Sequence, residues 1–422
     1  MGRKFLLTLI IAAVLGSMML FALQQVGGQL EVVWGKQWGT AAIEIIDDIA
    51  LDDQGHVYIA GGTEGNLFGQ NQGETDIFIV KLDSNGEMLW GKQLGSAKDE
   101  GGVRIGVDRE SNIYLLTETE GDWFGKNLGV KDIVLLKLSP SGEILWGKRI
   151  GTEKDELGIA IAVGSNHVYI AGMTTGSLFG KYRGDSYEGF LAKYDLNGNL
   201  VWGKQFSGEG LEAMAIDSQS NIYVAGVTED EATNEVANFL AKFNTDGALI
   251  WRQVFPYTED EIITSISVDG SGNVFGAGKV NIYSEDDESR AIPIPDAFIS
   301  KYRGENGERV WLKRMKSQGE EEKEEELSDV AVDGQGYVYV VGFTEGSLFG
   351  NHLGDFDVVM AKFDGQGNML WGKQWGSVKD DVGRAIIVDG QGNIYVAGGT
   401  NGDLYGTNAG QMDIFIVKFR QY

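Results

Sequence analysis

The sequence predicts an all-β fold, a seven-bladed β-propeller of four-stranded antiparallel blades. One pattern recurs seven times, at spacings of 49 to 60 residues, and a tryptophan marks each copy. Each copy contains four short strand patterns that are separated by glycine-containing turns or longer loops. The marker tryptophans are Trp34, Trp90, Trp146, Trp202, Trp251, Trp311 and Trp371. We expect them to pack within the blades rather than to form a binding platform.

The first copy shows how one blade is built. Its elements in order are strand 49–52, turn 52–55, strand 56–61, loop 62–75, strand 76–82, turn 83–86 and strand 87–90. In an up-and-down blade, the tight turns share one end of the propeller, which we call the short-turn end. The long loops and the blade-to-blade crossings share the opposite, long-loop end. Because binding residues concentrate on variable loops, we expect function at the long-loop end.

The two ends of the repeat array are predicted to meet. A glycine stands four residues before every marker tryptophan except Trp34, and no third-strand pattern precedes Trp34. The last copy, conversely, has a third-strand pattern but no fourth strand before Tyr422. The N-terminal strand is therefore predicted to complete the last blade, which removes the exposed edges of an open array.

Composition restricts the class of partner. The chain of 422 residues has a net charge of −27, 62 glycines, 4 prolines and no cysteine. The negative charge disfavours nucleic acids and anionic membrane surfaces, and the lack of cysteine excludes disulfides and thiolate metal sites. Cationic partners and divalent cations are compatible, and Ca²⁺ is the ion that hard carboxylate ligands would suit. No cofactor is otherwise indicated, and we expect a monomer.

The N-terminus predicts export. A basic head with Arg3 and Lys4 precedes 19 uncharged residues, Phe5 to Leu23. This length fits a cleaved signal peptide and also a retained membrane anchor, so both alternatives stay open. We divide the chain into residues 1–27, signal or anchor, and residues 28–422, the propeller. Its predicted location is extracellular, cell-surface or periplasmic, with membrane contact only through the N-terminal segment.

The last copy resembles a known repeat. Val388 to Thr400 reads VDGQGNIYVAGGT and is followed by DIFIVK from Asp413, which is similar to the bacterial seven-bladed β-propeller repeat called the SBBP repeat. The resemblance extends over about residues 30–422. It implies the propeller fold and a surface or secreted location, but no particular activity. Two copies depart from the pattern, the fourth at Ala237 and the fifth in its loop from Val280 to Pro295.

An acidic residue recurs eight positions before the end of each first strand, where a crossing enters the blade. The seven residues are Glu44, Glu100, Glu156, Glu209, Glu261, Glu325 and Asp381. If the side chains turn inward, they ring the mouth of the channel and form a candidate cation or cationic-ligand site. The alternative is structural: each acid accepts backbone N–H bonds from its crossing or pairs with a neighbouring lysine.

A short aromatic motif recurs in five long loops, at 67–69, 123–125, 178–180, 348–350 and 404–406. The aromatic residues are candidates for binding a sugar or a peptide, or they fasten the loop to its blade. Trp123 is the outlier, because the other copies have leucine there. A lysine also recurs in every third strand, and we predict that these lysines pair with acids that begin the same strands, such as Asp76, Asp132, Asp296, Asp357 and Asp413.

These patterns favour binding over catalysis. The three histidines have no repeated partners, and no phosphate loop or nucleophile elbow is present. The first hypothesis is an exported, non-catalytic binding or scaffold propeller that recognises protein or carbohydrate through its long-loop end. The alternatives are a carbohydrate-active hydrolase or lyase with carboxylates at the channel mouth, and an envelope assembly factor tethered by its N-terminus.

Overall fold

The computed structural model describes residues 30–184, 186–229, 236–256, 261–282, 294–317 and 323–422. Its regular structure consists of 28 strands. They form seven four-stranded sheets in which every paired neighbour is antiparallel. The predicted seven-bladed propeller is therefore confirmed.

Each blade runs from an innermost to an outermost strand. Blade 1 contains β2 (Glu44–Leu51), β3 (Val57–Thr63), β4 (Asp76–Leu82) and β5 (Met88–Leu94). Blade 2 contains β6 (Glu100–Val107), β7 (Ile113–Thr119), β8 (Asp132–Leu138) and β9 (Ile144–Ile150). Blade 3 contains β10 (Glu156–Val163), β11 (His167–Thr174), β12 (Glu188–Asp195) and β13 (Leu200–Phe206). Blade 4 contains β14 (Glu209–Ile216), β15 (Ile222–Glu229), β16 (Val236–Phe243) and β17 (Leu249–Pro256).

The remaining blades follow the same order. Blade 5 contains β18 (Glu261–Val268), β19 (Val274–Ile282), β20 (Ile294–Tyr302) and β21 (Arg309–Met315). Blade 6 contains β22 (Glu325–Val332), β23 (Val338–Thr344), β24 (Asp357–Phe363) and β25 (Met369–Trp375). Blade 7 contains β26 (Asp381–Val388), β27 (Ile394–Thr400), β28 (Asp413–Gln421) and, as its outermost strand, β1 (Leu30–Trp38). The predicted closure is thus confirmed, since Leu30 pairs with Gln421 and Trp38 with Ile414.

The hydrophobic core lies between the blades. Strands β3 and β4 of blade 1 are buried along their whole length, because neighbouring blades cover both of their faces. One core cluster, for example, joins Ile59 and Phe78 of blade 1 to Ile414 and Ile416 of blade 7. Such strands are rich in valine, isoleucine and aromatic residues, which suit a pleated surface that is packed on both sides.

The tight turns have the conformation that their sequences predict. In blade 1, the N–H groups of Gln54 and His56 donate to Asp52 Oδ1 at 3.0 and 2.9 Å. Gly55 follows with a φ of +80°, a conformation that glycine adopts without steric cost. These are Asx-type turns, in which Oδ1 of the aspartate accepts bonds from the backbone of the turn itself, whereas Oδ2 of Asp52 accepts a bond from Tyr58 Oη at 3.0 Å.

A repeated contact fastens each blade to the next at the short-turn end. In blade 1, Lys81 Nζ and Trp90 Nε1 both donate to Pro140 O, in the turn between the third and fourth strands of blade 2, at 3.5 and 3.2 Å. We call this pair of donors the clasp. A lysine occupies it in all seven blades, with acceptors on Pro140, Leu196, Thr245, Gly304, Gly365, Gln421 and Ser84.

The clasp corrects the predicted lysine pairing. Lys81 Nζ lies 3.9 Å from Asp52 Oδ2, in the first tight turn of its own blade, and 5.0 Å from the centre of the Tyr58 ring. Asp76 begins the strand at the long-loop end, five residues from Lys81, whose Nζ points to the short-turn end. The two side chains therefore face opposite ends of the blade, and the prediction that they pair was wrong.

The clasp departs from the pattern where blade 6 meets blade 7. No tight turn joins the last two strands of blade 7, because they come from opposite ends of the array. Lys362 Nζ donates to the side chain of Gln421 instead, at 2.8 Å. Trp371 Nε1 is buried and has no hydrogen-bond partner among the described residues.

The predicted signal or anchor, residues 1–27, lies outside the described residues, so its division from the propeller stays a prediction. Within the described part of the chain, no helix has the length and apolar character to cross a membrane.

Candidate functional site

The repeated acidic residues are the first residues of the innermost strands and lie at the long-loop end. Glu44 is 0% exposed, and its carboxylate accepts bonds from Thr40 N at 2.8 Å and Thr40 Oγ1 at 2.6 Å. A third bond comes from Thr63 Oγ1 at 3.0 Å. The acid therefore joins the incoming crossing to the second strand of its own blade.

Four other blades repeat this arrangement with serine or threonine donors. The acids and their donors are Glu100 with Ser96 and Thr119, Glu156 with Thr152 and Thr174, Glu325 with Ser317 and Thr344, and Asp381 with Ser377 and Thr400. Burial raises the pKa of these four carboxyls, while the hydroxyl and N–H donors act in the opposite direction.

The other two repeated acids form ion pairs. Glu209 lies 2.8 Å from Arg252 Nη2, and Glu261 lies 2.7 Å from Arg309 Nη1. Within the described ranges, no group of three or more histidines or acids is arranged to hold a metal ion. Their oxygens thus accept bonds within the crossings, as the structural alternative expects, or pair with an arginine where that alternative expected a lysine. The binding of a cation by these seven residues stays a prediction.

The aromatic motif of the long loops is fastened by a residue of the outermost strand. In blade 1, Gln93 Oε1 accepts bonds from Leu67 N and Phe68 N at 3.1 and 3.3 Å. Gln93 Nε2 donates to Gly65 O and Asp76 Oδ2 at 2.9 and 3.1 Å. The same contacts surround Gln37, Gln205 and Gln374. In these blades the motif attaches the loop to the sheet.

Blade 2 replaces this glutamine with Arg149. A guanidinium has no acceptor, so it cannot receive the backbone N–H groups of the motif. Arg149 instead donates to Trp123 O at 3.0 Å, to Asn127 Oδ1 at 3.0 Å and to Gly121 O. Trp123 is half-buried against the core, and Phe124 adopts a φ of +54°. The sequence candidate Trp123 is thus a packing residue here, and its neighbour Phe124 is exposed.

The blade 2 loop is ordered and exposes apolar residues. Asn127 donates through its N–H to Asp122 Oδ1 at 2.8 Å and through Nδ2 to the carbonyls of Glu120 and Val130 at 2.8 and 3.2 Å. Phe124, Leu128 and Val130 are nevertheless 37%, 54% and 63% exposed. We call these three residues the blade 2 patch.

Other loops have the same framework but different exposed residues. In blade 1, Asn71 makes the equivalent bonds to Glu64 O and Glu74 O. The positions equivalent to Leu128 and Val130 are Gln72 and Glu74 in blade 1, and Ala409 and Gln411 in blade 7. The framework is therefore structural. Blade 6 also has an exposed leucine at the position of Leu128, Leu353, but the position of Val130 is polar in blades 1, 6 and 7, so the combination of exposed apolar residues is found in blade 2.

The central channel contains a second group that the sequence analysis missed. Each innermost strand has a bulge three to four residues after its repeated acid. The first of these two positions has a different residue in every blade, and the second is alanine in only three. The pairs are Asp47 and Asp48, Val103 and Arg104, Ile159 and Ala160, Glu212 and Ala213, Thr264 and Ser265, Ser328 and Asp329, and Arg384 and Ala385. All of them except Val103 line a channel cavity of about 290 Å³. The sequence contains a signal for this group, because these positions vary within strands that otherwise repeat.

Two of these carboxylates bridge neighbouring blades. Asp48 Oδ2 accepts a bond from Ile105 N of blade 2 at 2.9 Å. Asp329 Oδ2 accepts one from Ile386 N of blade 7 at 2.8 Å, and its Oδ1 accepts another from Ser265 Oγ at 2.7 Å. Burial raises the pKa of Asp329 and raises that of Asp48 to about 7, even though the charge of Arg104 opposes the shift of both.

Comparisons with known proteins agree with this architecture. The family model described as SBBP, beta-propeller repeat, matches residues 370–406. The regulatory protein FlaEY of Caulobacter vibrioides is 25% identical over 199 residues, which is 40% of this chain. The chain spans only 21% of the length of that relative.

Solved structures show the fold alone. A polysaccharide lyase, an ulvan lyase, has a TM-score of 0.54 at 14% identity, covering 89% of this chain and 95% of that one. A quinohemoprotein alcohol dehydrogenase from Pseudomonas putida has a TM-score of 0.49 at 12% identity, covering 94% and 77%. The resemblance noted in the sequence is thus confirmed: the chain carries the SBBP β-propeller repeat and folds as a seven-bladed propeller.

Proposed function

We propose that this protein is a non-catalytic recognition module that binds another protein through the blade 2 patch. The observation that carries the proposal is a hydrogen-bonded loop with three exposed apolar side chains, of which Val130 stands where the loops of blades 1, 6 and 7 have a polar residue. Exposed apolar groups that a monomer does not need for its own packing are typical of protein interfaces.

The order of the loop supports binding. A loop that is already held by Asn127 and Arg149 loses little conformational entropy when a partner covers it. Leu128 and Val130 are aliphatic, and they offer contact area without hydrogen bonds, which suits an apolar protein surface better than the hydroxyls of a sugar. We therefore choose protein over carbohydrate as the class of ligand.

The proposed place of action is outside the cytoplasm. The support is the uncharged stretch from Phe5 to Leu23 behind a basic head. N-terminal sequencing of the protein recovered from the producing cells tests this proposal. A mature N-terminus near residue 28 outside the cytoplasm supports a secreted module, and an intact N-terminus in the membrane fraction supports a tethered one. Recovery of intact protein in the cytoplasm contradicts export.

A site-specific photo-crosslinker tests the recognition surface. The probe replaces Val130 in the full-length protein, and the control places it at Glu74, the equivalent position of the blade 1 loop. We expect one discrete protein adduct from position 130, none from position 74, and loss of the adduct when Leu128→Gln is added. Leu128→Gln gives blade 2 the residue that blade 1 has. Equal adducts from both positions, or none from position 130, contradict the proposal.

A further inference from the structure

The long-loop mouth of the channel holds a cavity that is separate from the blade 2 patch. Its volume is about 290 Å³, and its polar lining consists of Asp47, Arg104, Thr264, Glu326, Ser328 and Arg384. These residues come from five blades, and four of them occupy the first non-repeating position of the bulges. No single blade repeats this set, so the cavity has one orientation for a ligand.

Most of the polar groups in this cavity already have partners. Arg104 Nε donates to Ile159 O at 2.7 Å, and Asp47 Oδ2 accepts a bond from Val103 N at 3.1 Å. Thr264 Oγ1 lies 2.7 Å from Leu327 O. Glu326 is 2.7 Å from Lys279 Nζ. These contacts fix the walls of the cavity.

Two neighbouring groups lack such partners. Ser328 Oγ is inaccessible to solvent and has no hydrogen-bond partner among the described residues. Arg384, on the adjacent innermost strand, is more than a third exposed, and its charge opposes the burial that raises the pKa of Asp47. Because Ser328 Oγ has no accessible surface, it does not face the cavity, whereas the Arg384 guanidinium lines it and offers five donors in a fixed plane.

The chemistry of these groups selects the ligand. A planar guanidinium binds a carboxylate through two parallel hydrogen bonds. Asp47 and Glu326 stand in the same cavity, so a doubly charged phosphate meets more repulsion there than a singly charged carboxylate does. The same two acids can accept bonds from hydroxyl or ammonium groups of the ligand.

We propose that the channel mouth binds a small carboxylate with neighbouring hydroxyl or ammonium groups, and that Arg384 holds its carboxylate. Sugar acids and amino acids share this chemistry, and a cavity of this volume accommodates a molecule of that size. The site is independent of the blade 2 patch, so each proposal can fail without the other.

Titration calorimetry of the mature protein tests the proposal with four probes: glucuronate, glucose, L-serine and inorganic phosphate. We expect saturable binding of glucuronate or L-serine, no binding of glucose, and weaker binding of phosphate. The comparison of glucuronate with L-serine identifies the source of the carboxylate. Binding of glucose as tight as that of glucuronate overturns the proposal, as does failure of both carboxylates to bind at about 10 mM, the weak end of specific affinity.

Variants assign the binding to Arg384. Arg384→Gln should weaken carboxylate binding by about tenfold or more, because a charge-assisted bidentate contact is lost. Ser328→Ala should leave the affinity unchanged, because its hydroxyl does not reach the cavity. The control is Arg303→Gln, which removes an exposed arginine that pairs with Glu308. Arg384 is exposed, so its variant is expected to fold, and an unchanged thermal midpoint confirms this. Unchanged affinity in Arg384→Gln, or an equal loss in the control, overturns the assignment.

Discussion

Two sets of carboxylates on the innermost strands differ in the donors whose hydrogen bonds they accept. Glu156 and its counterparts repeat in every blade, and where they are fully buried they accept bonds from donors of their own blade. Asp48 and Asp329 occupy bulges in blades 1 and 6, and they accept bonds from the backbone of the following blade. Burial raises the pKa of Glu156 as well as those of Asp48 and Asp329, so burial alone does not distinguish the repeated acids from the acids of the bulges. The number of copies distinguishes them. A contact that recurs around the propeller serves the structure of the blades, whereas a contact that occurs in one or two blades makes those blades different from the others.

The largest expected effect follows from breaking a repeated contact. Glu156→Ala removes the acceptor of Thr152 N, Thr152 Oγ1 and Thr174 Oγ1, and leaves these donors buried without partners. We expect the free energy of unfolding to fall by about 3 kcal/mol, measured by urea denaturation.

The matched control for this variant is Glu209→Ala. Glu209 has the same place in blade 4, but its partner is the partly exposed Arg252, at 2.8 Å. Loss of a partly exposed ion pair should cost about 1 kcal/mol or less. Equal losses in the two variants would show that the hydroxyl and N–H donors do not determine how much the repeated acid contributes to the free energy of unfolding.

A smaller effect is expected from Asp48, and it depends on pH. Burial raises the pKa of Asp48 from 3.8 to about 7, so the folded state binds its proton more tightly than the unfolded state does. The resulting stabilisation is present below about pH 4 and is lost as the pH rises through about 7. Asp48→Asn does not titrate, and relative to wild type it should gain about 2 to 3 kcal/mol in unfolding free energy between pH 5 and pH 8.

Urea denaturation at several pH values measures this difference. Asp83→Asn is the control, since the turn donors of Glu87 and Asn85 lower the pKa of that exposed carboxyl, which therefore titrates below the range used. Its profile should parallel that of wild type between pH 5 and pH 8. A parallel profile for Asp48→Asn as well would mean that Asp48 stays ionised in the channel.

The sequence predicts those features that are repeated or local. The blades, the closure and the Asx turns follow from periodic strands and turn residues such as Asp52 and Gly55. The residues that line the channel do not follow from these patterns, because the bulge that turns Asp48 toward the next blade is a property of strand register. Trp123 was recognisable as an outlier, but the fastening of its loop by Arg149 was not, because Arg149 is distant in sequence and contacts the loop only in the folded blade.

The smallest expected effect comes from comparing two clasps. In one the tryptophan has an acceptor in a tight turn, and in the other, between blades 6 and 7, that turn is missing. Trp202 Nε1 donates to Thr245 O at 3.3 Å, whereas the buried Trp371 Nε1 has no partner among the described residues. Substitution by phenylalanine removes a hydrogen bond from the first and an unsatisfied donor from the second, while the lost ring area is similar. Trp202→Phe should therefore lower the unfolding free energy by about 1 kcal/mol more than Trp371→Phe does. Urea denaturation of both variants decides this, and an equal loss would mean that the junction of blades 6 and 7 is as well bonded as the others.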